Sequence, residues 1–242
     1  MKSFTGKIAV VTGGNSGIGY ATAKVLKEKG ANVIITGRRK EAIEKAALEL
    51  GVTGFVADQS KISDINELVL KVTNLFGKID QLLINAGISK VAPIELTTEE
   101  VFDEIMNVNF KGAFFTLSML IPHLNEKASI VLLSSTSATI APTNASVYSS
   151  SKAALNALMK IAAKELAPRK IRVNSVSPGP IATEIMNKLG LDKDIENQMI
   201  TSLPLARFGK PQEVASVITY LLSDETFFIT GSDYVIDGGQ SI

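Results

Sequence analysis

The segment Thr12-Gly13-Gly14-Asn15-Ser16-Gly17-Ile18-Gly19 decides the fold of this chain. An apolar, β-branched run from Ile8 to Val11 leads into it, and a run with helical character from Tyr20 to Lys29 follows and stops at Gly30. A strand, a glycine loop and a helix in immediate succession are typical of the first half of a βαβ unit. The order therefore predicts a first strand that passes into a helix through a turn made of glycines.

The same alternation of strand and helix continues along the chain. Helices are predicted from Lys40 to Leu50, from Ser63 to Gly77, from Val147 to Ala167 and from Pro211 to Leu222. Six further apolar runs predict strands: Val33 to Ile35, Phe55 to Ala57, Leu82 to Ile84, Ile130 to Leu133, Val173 to Val176 and Tyr234 to Ile236. These runs are continuous rather than alternating, which indicates burial on both faces. We predict an α/β protein with one domain over 1–242: a Rossmann-like, doubly wound parallel sheet of seven strands with helices on both faces.

Composition excludes several classes of function. The 242 residues include 25 Lys plus Arg against 24 Asp plus Glu, so no overall charge attracts nucleic acid or an anionic membrane. Cysteine is absent and His123 is the only histidine, so we expect no disulfide and no metal site. The apolar run near the N-terminus is too short for a signal peptide or a membrane span, and a cytoplasmic location is expected.

The glycine loop predicts a binding site for a dinucleotide. A helix N-terminus offers unpaired N–H donors and a partial positive charge, and glycines let the backbone approach phosphate oxygens closely. The spacing differs from the familiar G-x-G-x-x-G pattern, so a purely structural tight turn is the alternative. We expect the pyrophosphate to contact Gly13, Asn15, Ser16, Gly17, Ile18 and Gly19.

The end of the second predicted strand indicates which dinucleotide binds. An acidic residue at this place would bond the ribose 2′-hydroxyl of NAD, but the sequence here reads Thr36-Gly37-Arg38-Arg39. A guanidinium can chelate a 2′-phosphate and stack on adenine. We therefore predict contacts from Gly37, Arg38 and Arg39 and a preference for NADP(H) over NAD(H). The alternative is that both arginines are solvated charges at a helix start.

The segment Tyr148-Ser149-Ser150-Ser151-Lys152 carries the strongest chemical signal. Its Tyr and Lys are four residues apart in a predicted helix, so they project from one face. A free phenol has a pKa near 10, which a neighbouring ammonium and a cationic nicotinamide would lower. The spacing alone is common on helix surfaces, and its context decides how it is interpreted.

The motifs together resemble the classical short-chain dehydrogenase/reductase family over essentially the whole chain. Thr12 to Gly19 resembles the family's T-G-x-x-x-G-x-G loop, and Tyr148 to Lys152 resembles its Y-x-x-x-K. Three shorter segments agree in order with the family's N-A-G, P-G and D-G-G motifs: Asn85-Ala86-Gly87, Pro178-Gly179 and Asp237-Gly238-Gly239.

The resemblance implies a catalytic tetrad of Asn109, Ser135, Tyr148 and Lys152. Ser135 would hydrogen-bond the substrate oxygen, and Tyr148 would be the general acid in reduction and the general base in oxidation. Lys152 would lower the tyrosine pKa and bond the ribose hydroxyls, while Asn109 would hold a water on the proton path. Choosing Ser135 over its neighbour Ser134 rests on the family's register, because the two hydroxyls would point to opposite faces of a strand.

Further cofactor contacts follow from the resemblance. Asp58 would lie near the adenine, although it could instead cap the turn before Ser60, and Asn85 could instead satisfy backbone groups. The remaining expected contacts lie along the ribose and the carboxamide: Tyr148 and Lys152 of the tetrad, Asn85, Ala86, Gly87, Pro178, Gly179, Ile181 and Thr183.

The region of about 184–205 resembles the family's cover over the substrate. It contains Met186, Leu189, Leu191, Ile195, Met199 and Ile200, which favours an apolar substrate end. We expect a small-molecule carbonyl or secondary-alcohol substrate, with hydride exchanged with NADP(H).

Three other functions stay open. A 3-oxoacyl-carrier-protein reductase would need a basic docking patch, for which Arg169, Lys170 and Arg172 are the candidates. A reductase of sugars or other small metabolites and a non-catalytic NADP-binding sensor are the others. The resemblance also implies a homotetramer, with helices and the segment Tyr234 to Ile242 packed between subunits.

Overall fold

Seven parallel strands form a single sheet. The structure is a computed structural model, and it describes residues 4–184 and 192–242. The strands are β1 (Ile8–Thr12), β2 (Asn32–Gly37), β3 (Thr53–Val56), β4 (Ile79–Ile84), β5 (Leu124–Leu133), β6 (Arg172–Pro178) and β7 (Asp233–Ile236). They lie in the order β3-β2-β1-β4-β5-β6-β7, and each neighbouring pair is parallel. The predicted seven-stranded parallel sheet is confirmed.

Helices connect the strands. They are α1 (Gly17–Glu28), α2 (Lys40–Leu50), α3 (Ile62–Phe76), α4 (Glu99–Met106), α5 (Ala113–Leu120), α6 (Ser137–Ile140), α7 (Ser146–Leu166), α8 (Lys193–Ser202) and α9 (Pro211–Leu222). A π-helical turn, Asn107–Gly112, joins α4 to α5. Within residues 4–184 and 192–242, every helix is too short or too polar to cross a membrane.

Two hydrophobic clusters cover the two faces of the sheet. Successive strand residues point to opposite faces, so Val10 and Leu82 join one cluster whereas Val11 and Leu83 join the other. Helices α3, α5 and α7 pack on the first face, and α1, α2 and α9 pack on the second. Burial of both faces makes this a doubly wound, Rossmann-like sheet, as the continuous apolar runs predict.

The two edge strands differ from that expectation. Val56 in β3 is 48% exposed and Val235 in β7 is 49% exposed, whereas the five strands between them are mostly buried. The prediction of burial on both faces is therefore wrong for β3 and β7, because an edge strand has a neighbouring strand on one side only.

The strand order places a cleft at the carboxyl ends of the strands. Chain order reverses between β1 and β4, so the connections that leave these two neighbours diverge, and the crevice between them is where open α/β sheets bind ligands. A cleft of about 820 Å³ lies here. Loops that follow β1, β2, β4, β5 and β6 line it.

Candidate active site

The N-terminus of α1 forms one end of the cleft. Ser16 is the N-cap residue, but its side chain makes no capping hydrogen bond, and the first turn contains no acidic residue. The first N–H groups of a helix have no partner within it, and they carry the positive end of the helix dipole. Gly13 and Ser16 to Ile18 line the cleft at this point. This end therefore suits an anionic group such as a pyrophosphate.

Two glycines keep this end of the cleft open. A Cβ on Gly19 would lie 2.3 Å from the carbonyl oxygen of Gly13 and 2.5 Å from Nδ2 of Asn85. Gly13 itself has a φ of +64°, in the left-handed region that side chains disfavour. Larger residues at these two positions would displace the loop from its packing against Asn85, so the glycine pattern fits a dinucleotide.

Asn85 fixes the loop to the neighbouring strand. Its side-chain amide donates to the carbonyl oxygens of Thr12 at 2.8 Å and Gly13 at 3.0 Å. The Thr12 hydroxyl accepts from the backbone N–H groups of Asn85 and Ala86. The structural role considered for Asn85 is therefore present, while Asn85, Ala86 and Gly87 also line the cleft. Thr12 was not singled out from the sequence, although its place directly before the first glycine is the signal that could have found it.

Arg38 and Arg39 follow β2 and line the cleft. Both are exposed and line it together with Gly37 and Asp58. One carboxylate oxygen of Asp58 accepts from the backbone N–H and the hydroxyl of Ser60, so this residue also caps the turn considered as its alternative role. Two cations at the end of β2 are suited to a phosphate on the adenosine ribose.

Ser135 and Tyr148 meet at the wall of the cleft. Interaction with the Ser135 hydroxyl acts to lower the pKa of the Tyr148 phenol, and the Ser135 oxygen accepts from the backbone N–H of Ser137. The hydroxyl of Ser134 instead donates to the carbonyl oxygen of Lys152, at 3.1 Å, and is buried against α7. Of the two neighbouring serines, Ser135 is thus the one beside the phenol, because adjacent side chains after a strand point in opposite directions.

The electrostatics of the Tyr148 and Lys152 pair differ from our expectation. Burial raises the pKa of the Tyr148 phenol above 10.0, although interaction with the Ser135 hydroxyl acts in the opposite direction. Burial lowers the pKa of the Lys152 ammonium from 10.5 to about 8. Its Nζ donates to the carbonyl oxygen of Leu133 at 2.7 Å and lies 5.8 Å from the centroid of the Tyr148 ring. The expected lowering of the phenol pKa by Lys152 is therefore wrong for the protein alone, because desolvation dominates.

Asn109 is buried and joins the loop at Ile88 to the helix that carries Tyr148. Its side chain accepts from the N–H of Ile88 at 2.8 Å and donates to the carbonyl oxygen of Ile88 and the hydroxyl of Ser151. It lies in the π-helical turn, where the N–H of Ala113 donates to Phe110 rather than to the carbonyl oxygen of Asn109, its regular helical acceptor. A water held by Asn109 would therefore contact its backbone carbonyl, since the side chain is already bonded.

Ser151 is a second residue that we did not single out. Its hydroxyl donates to the carbonyl oxygen of Tyr148 at 2.7 Å and accepts from Asn109 at 3.1 Å. It therefore ties α7 to the π-helical turn, and its position three residues after Tyr148, on the same helix face, could have indicated this.

The loop after β6 and the C-terminal turn form the far wall. Pro178, Gly179, Ile181 and Thr183 line the cleft there. Gln240 lines it too, and its side-chain oxygen accepts from the hydroxyl of Thr136, at 3.0 Å. Gln240 was missed because nothing local in the sequence marks it, and only the Asp237-Gly238-Gly239 turn directs it to this wall.

The remaining part of the cleft is mainly apolar. Its lining includes Ile195 and Met199 of α8 together with Val91, Ile140 and Pro142. Part of the cover predicted over about 184–205, including Met186, Leu189 and Leu191, lies outside the described residues. Within the described part of the chain, no three His, Cys, Asp or Glu side chains are grouped to hold a metal ion.

Fold and site together define a class: a doubly wound dinucleotide-binding protein with a phenol, an amine and a hydroxyl at one wall of its cleft. Comparisons with known proteins support this class. A family model described as enoyl-(acyl carrier protein) reductase matches residues 13–241. The chain is 39% identical to the 3-oxoacyl-[acyl-carrier-protein] reductase of Thermotoga maritima, with 98% of each chain covered. It is 35% identical to the NADP-dependent (R)-specific alcohol dehydrogenase of Lentilactobacillus kefiri, with 98% of this chain and 97% of that one covered.

Solved structures agree as well. A double mutant of a Serratia marcescens short-chain dehydrogenase/reductase superposes with a TM-score of 0.94 at 32% identity, covering 99% of this chain and all of that one. A Brucella melitensis protein described as a short-chain dehydrogenase/reductase and glucose/ribitol dehydrogenase gives 0.94 at 33% identity, with 99% and 98% covered. The chain belongs to the short-chain dehydrogenase/reductase family and is an oxidoreductase of that family.

Proposed function

We propose that this protein is an NADP(H)-dependent oxidoreductase that moves hydride between the nicotinamide and a small ketone or secondary alcohol. The observation that carries the proposal is that Ser135 and Tyr148 interact at the wall of the cleft that also contains the glycine loop. Two hydroxyls at one point can hold and protonate a single substrate oxygen.

The chemistry assigns a task to each side chain. When bound, the nicotinamide supplies the hydride in reduction and accepts it in oxidation. Ser135 orients the substrate oxygen and stabilises its developing charge, and Tyr148 delivers a proton to it. The raised pKa of Tyr148 means that the phenol is protonated at neutral pH, which is the form that a general acid needs in carbonyl reduction. Lys152 binds the ribose hydroxyls, and its amine and a water at the Asn109 carbonyl return the proton to Tyr148.

We propose the same cofactor contacts and the same catalytic tetrad that the sequence predicts. Arg38 and Arg39 support NADP(H) over NAD(H), because a 2′-phosphate gains charge-assisted hydrogen bonds from a guanidinium. The name of the alcohol dehydrogenase of Lentilactobacillus kefiri, which specifies NADP, supports the same preference.

The substrate end supports apolar ketones. Val91, Ile140, Ile195 and Met199 offer hydrocarbon surface, and methionine adapts to substituents of different shape. We expect aliphatic and aryl ketones to react faster than small, highly polar sugars. Faster turnover of the sugars across a panel would contradict this part of the proposal.

The experiment that tests the function is a panel of ketones and alcohols assayed with NADPH and NADH side by side. The wild type is expected to consume NADPH with at least one ketone, and Tyr148→Phe to lose turnover by a factor of about 10³ or more while NADPH still binds. Tyr220→Phe, on the exposed surface of α9, is the matched control and should keep full activity. Appreciable turnover by Tyr148→Phe would contradict the assignment.

A 3-oxoacyl-carrier-protein reductase is the second candidate, favoured by the similarity to the Thermotoga maritima enzyme. The basic cluster considered for docking does not support it. Arg172 is 5% exposed and donates to the carbonyl oxygens of Leu221 and Ser223, and Arg169 donates to those of Ile121 and Leu124. Arg172 is also the first residue of β6, so it lies at the amino ends of the strands, whereas the cleft lies at their carboxyl ends. A carrier-bound substrate would have to dock elsewhere, and turnover of 3-oxoacyl thioesters well above simple ketones would favour this candidate.

A non-catalytic NADP-binding sensor is the third candidate. It predicts tight NADPH binding with no NADPH consumption against any ketone, so the same panel separates it from an enzyme.

We also propose that the protein assembles as a homotetramer. Exposed apolar side chains lie on the helices at Phe102, Phe114 and Ile161, and others lie near the open edge of β7 at Phe228 and Val235. Two separate apolar surfaces are what a tetramer with two kinds of interface needs. Light scattering after gel filtration should give a mass of about four chains, and a monomeric mass would refute the proposal. The cytoplasmic location stays a prediction.

A further inference from the structure

An ion pair joins two walls of the cleft. Nη2 of Arg39 donates to Oε2 of Glu184 at 3.4 Å, although the two residues are 145 positions apart in the chain. Arg39 follows β2, whereas Glu184 lies beyond β6, and three strands separate β2 from β6 in the sheet. Both side chains line the cleft and are about half exposed, at 55% and 53%. The contact therefore lies at the solvent-facing mouth of the cleft.

We infer that Glu184 is a specificity-determining residue, whose carboxylate competes with the 2′-phosphate for Arg39 and so weakens NADP(H) relative to NAD(H). The inference rests on the proposed function, in which Arg39 is a phosphate ligand. A carboxylate and a phosphate both use the forked N–H donors of a guanidinium. A 2′-phosphate that binds Nη2 of Arg39 therefore displaces Glu184 from it. NAD(H) has no 2′-phosphate, so its binding leaves the ion pair as it is.

Arg38, the neighbour of Arg39, differs from it in its ion pairing. Within residues 4–184 and 192–242, Arg38 has no ion-pair partner, although it lines the same part of the cleft. The two arginines therefore differ: Arg38 is available to a phosphate directly, and Arg39 becomes available when it leaves Glu184. Glu184 also adds a negative charge at the cleft mouth, which repels an incoming phosphate at low ionic strength.

The size of the effect follows from the exposure of the pair. Ion pairs between half-exposed side chains are weak, because water screens them and both side chains lose freedom. We therefore expect removal of the Glu184 charge to tighten NADPH binding by about two- to fivefold. The gain should shrink as salt is added, because salt screens exposed charges.

The test is a fluorescence titration of wild type and Glu184→Gln with NADPH and with NADH, at low and at high salt. Glu184→Gln keeps the size of the side chain and removes its charge. NADPH affinity is expected to rise about two- to fivefold at low salt while NADH affinity stays unchanged. Glu67→Gln is the matched control, because Glu67 pairs with Lys71 at 2.6 Å on the exposed surface of α3, outside the cleft. It should change neither affinity.

A further variant separates failure of this inference from failure of the proposed cofactor preference. Arg39→Gln should weaken NADPH but not NADH, and in its background Glu184→Gln should give a smaller gain. If Arg39→Gln weakens NADPH but Glu184→Gln changes nothing, or changes both cofactors equally, the role of Glu184 is wrong. If neither Arg39→Gln nor Arg38→Gln affects NADPH more than NADH, the preference for NADP(H) itself is wrong.

Discussion

The buried Lys152 ammonium should make the stability of the protein depend on pH in a defined window. Burial lowers its pKa from 10.5 to about 8, so between these values the unfolded chain binds a proton that the folded protein does not. The free energy of unfolding therefore increases as pH rises through this window, and the full destabilisation by the buried lysine is present below it. The shift corresponds to about 3 kcal/mol of destabilisation near pH 7.

Lys152→Met removes this titration from the folded and the unfolded state. The variant also loses the hydrogen bond from Nζ to the carbonyl oxygen of Leu133, which is 2.7 Å long in the wild type. That loss affects the variant at every pH, so the informative quantity is how the stability difference changes. The advantage of Lys152→Met over wild type should fall by about 2 kcal/mol between about pH 7 and about pH 9.5, where the folded lysine is already neutral.

Urea denaturation followed by circular dichroism, at one fixed protein concentration, gives the unfolding free energies at both pH values. Lys160→Met is the matched control, because Lys160 lies on the same helix but is exposed. Its stability difference from wild type should be nearly the same at both pH values. If the free energies of unfolding of Lys152→Met and wild type changed equally with pH across the window, the reasoning would be refuted. The lysine would then have the same pKa in the folded and the unfolded chain.

Three further predictions concern the cleft. Gly19→Ala brings a Cβ to 2.3 Å from the Gly13 carbonyl oxygen, so dinucleotide affinity in a fluorescence titration should fall about tenfold or more, and unchanged affinity would contradict the proposed binding of the pyrophosphate at the glycine loop. Ser135→Ala should lower kcat by about 10²-fold or more, while Ser134→Ala should lower stability by about 1 kcal/mol and spare kcat; the reverse pattern would exchange their roles. Arg38→Asp should weaken NADPH far more than NADH, and equal losses would count against the 2′-phosphate site.

The sequence predicts the architecture well because the signals that define it are local. Continuous apolar runs mark the seven strands, and glycines mark the ends of α1, α2 and α3 within a residue or two. The error at β3 and β7 has a simple cause. A run such as Phe55 to Ala57 reports its own hydrophobicity, but whether a strand lies at an edge depends on the strand order, which no short segment contains.

Parts of the candidate site are also local. The glycine loop, the two arginines after β2 and the Tyr148–Lys152 spacing are each contained in eight residues or fewer. None of these motifs indicates an enzyme by itself. The catalytic interpretation depended on finding the whole set of motifs in the order in which the family has them. The sign of the Tyr148 pKa shift could not be predicted in the same way, because it depends on how much protein surrounds the hydroxyl after folding.

The sequence by itself therefore determined the strand and helix order, the place of the cleft and the candidate catalytic residues, because each depends on neighbours a few positions apart. Only the tertiary structure decided which serine lies beside Tyr148, that Arg172 is buried away from the cleft, and that Arg39 and Glu184 form an ion pair. These are contacts between residues distant in the chain, and the directions of their side chains are set by the packing of the whole sheet.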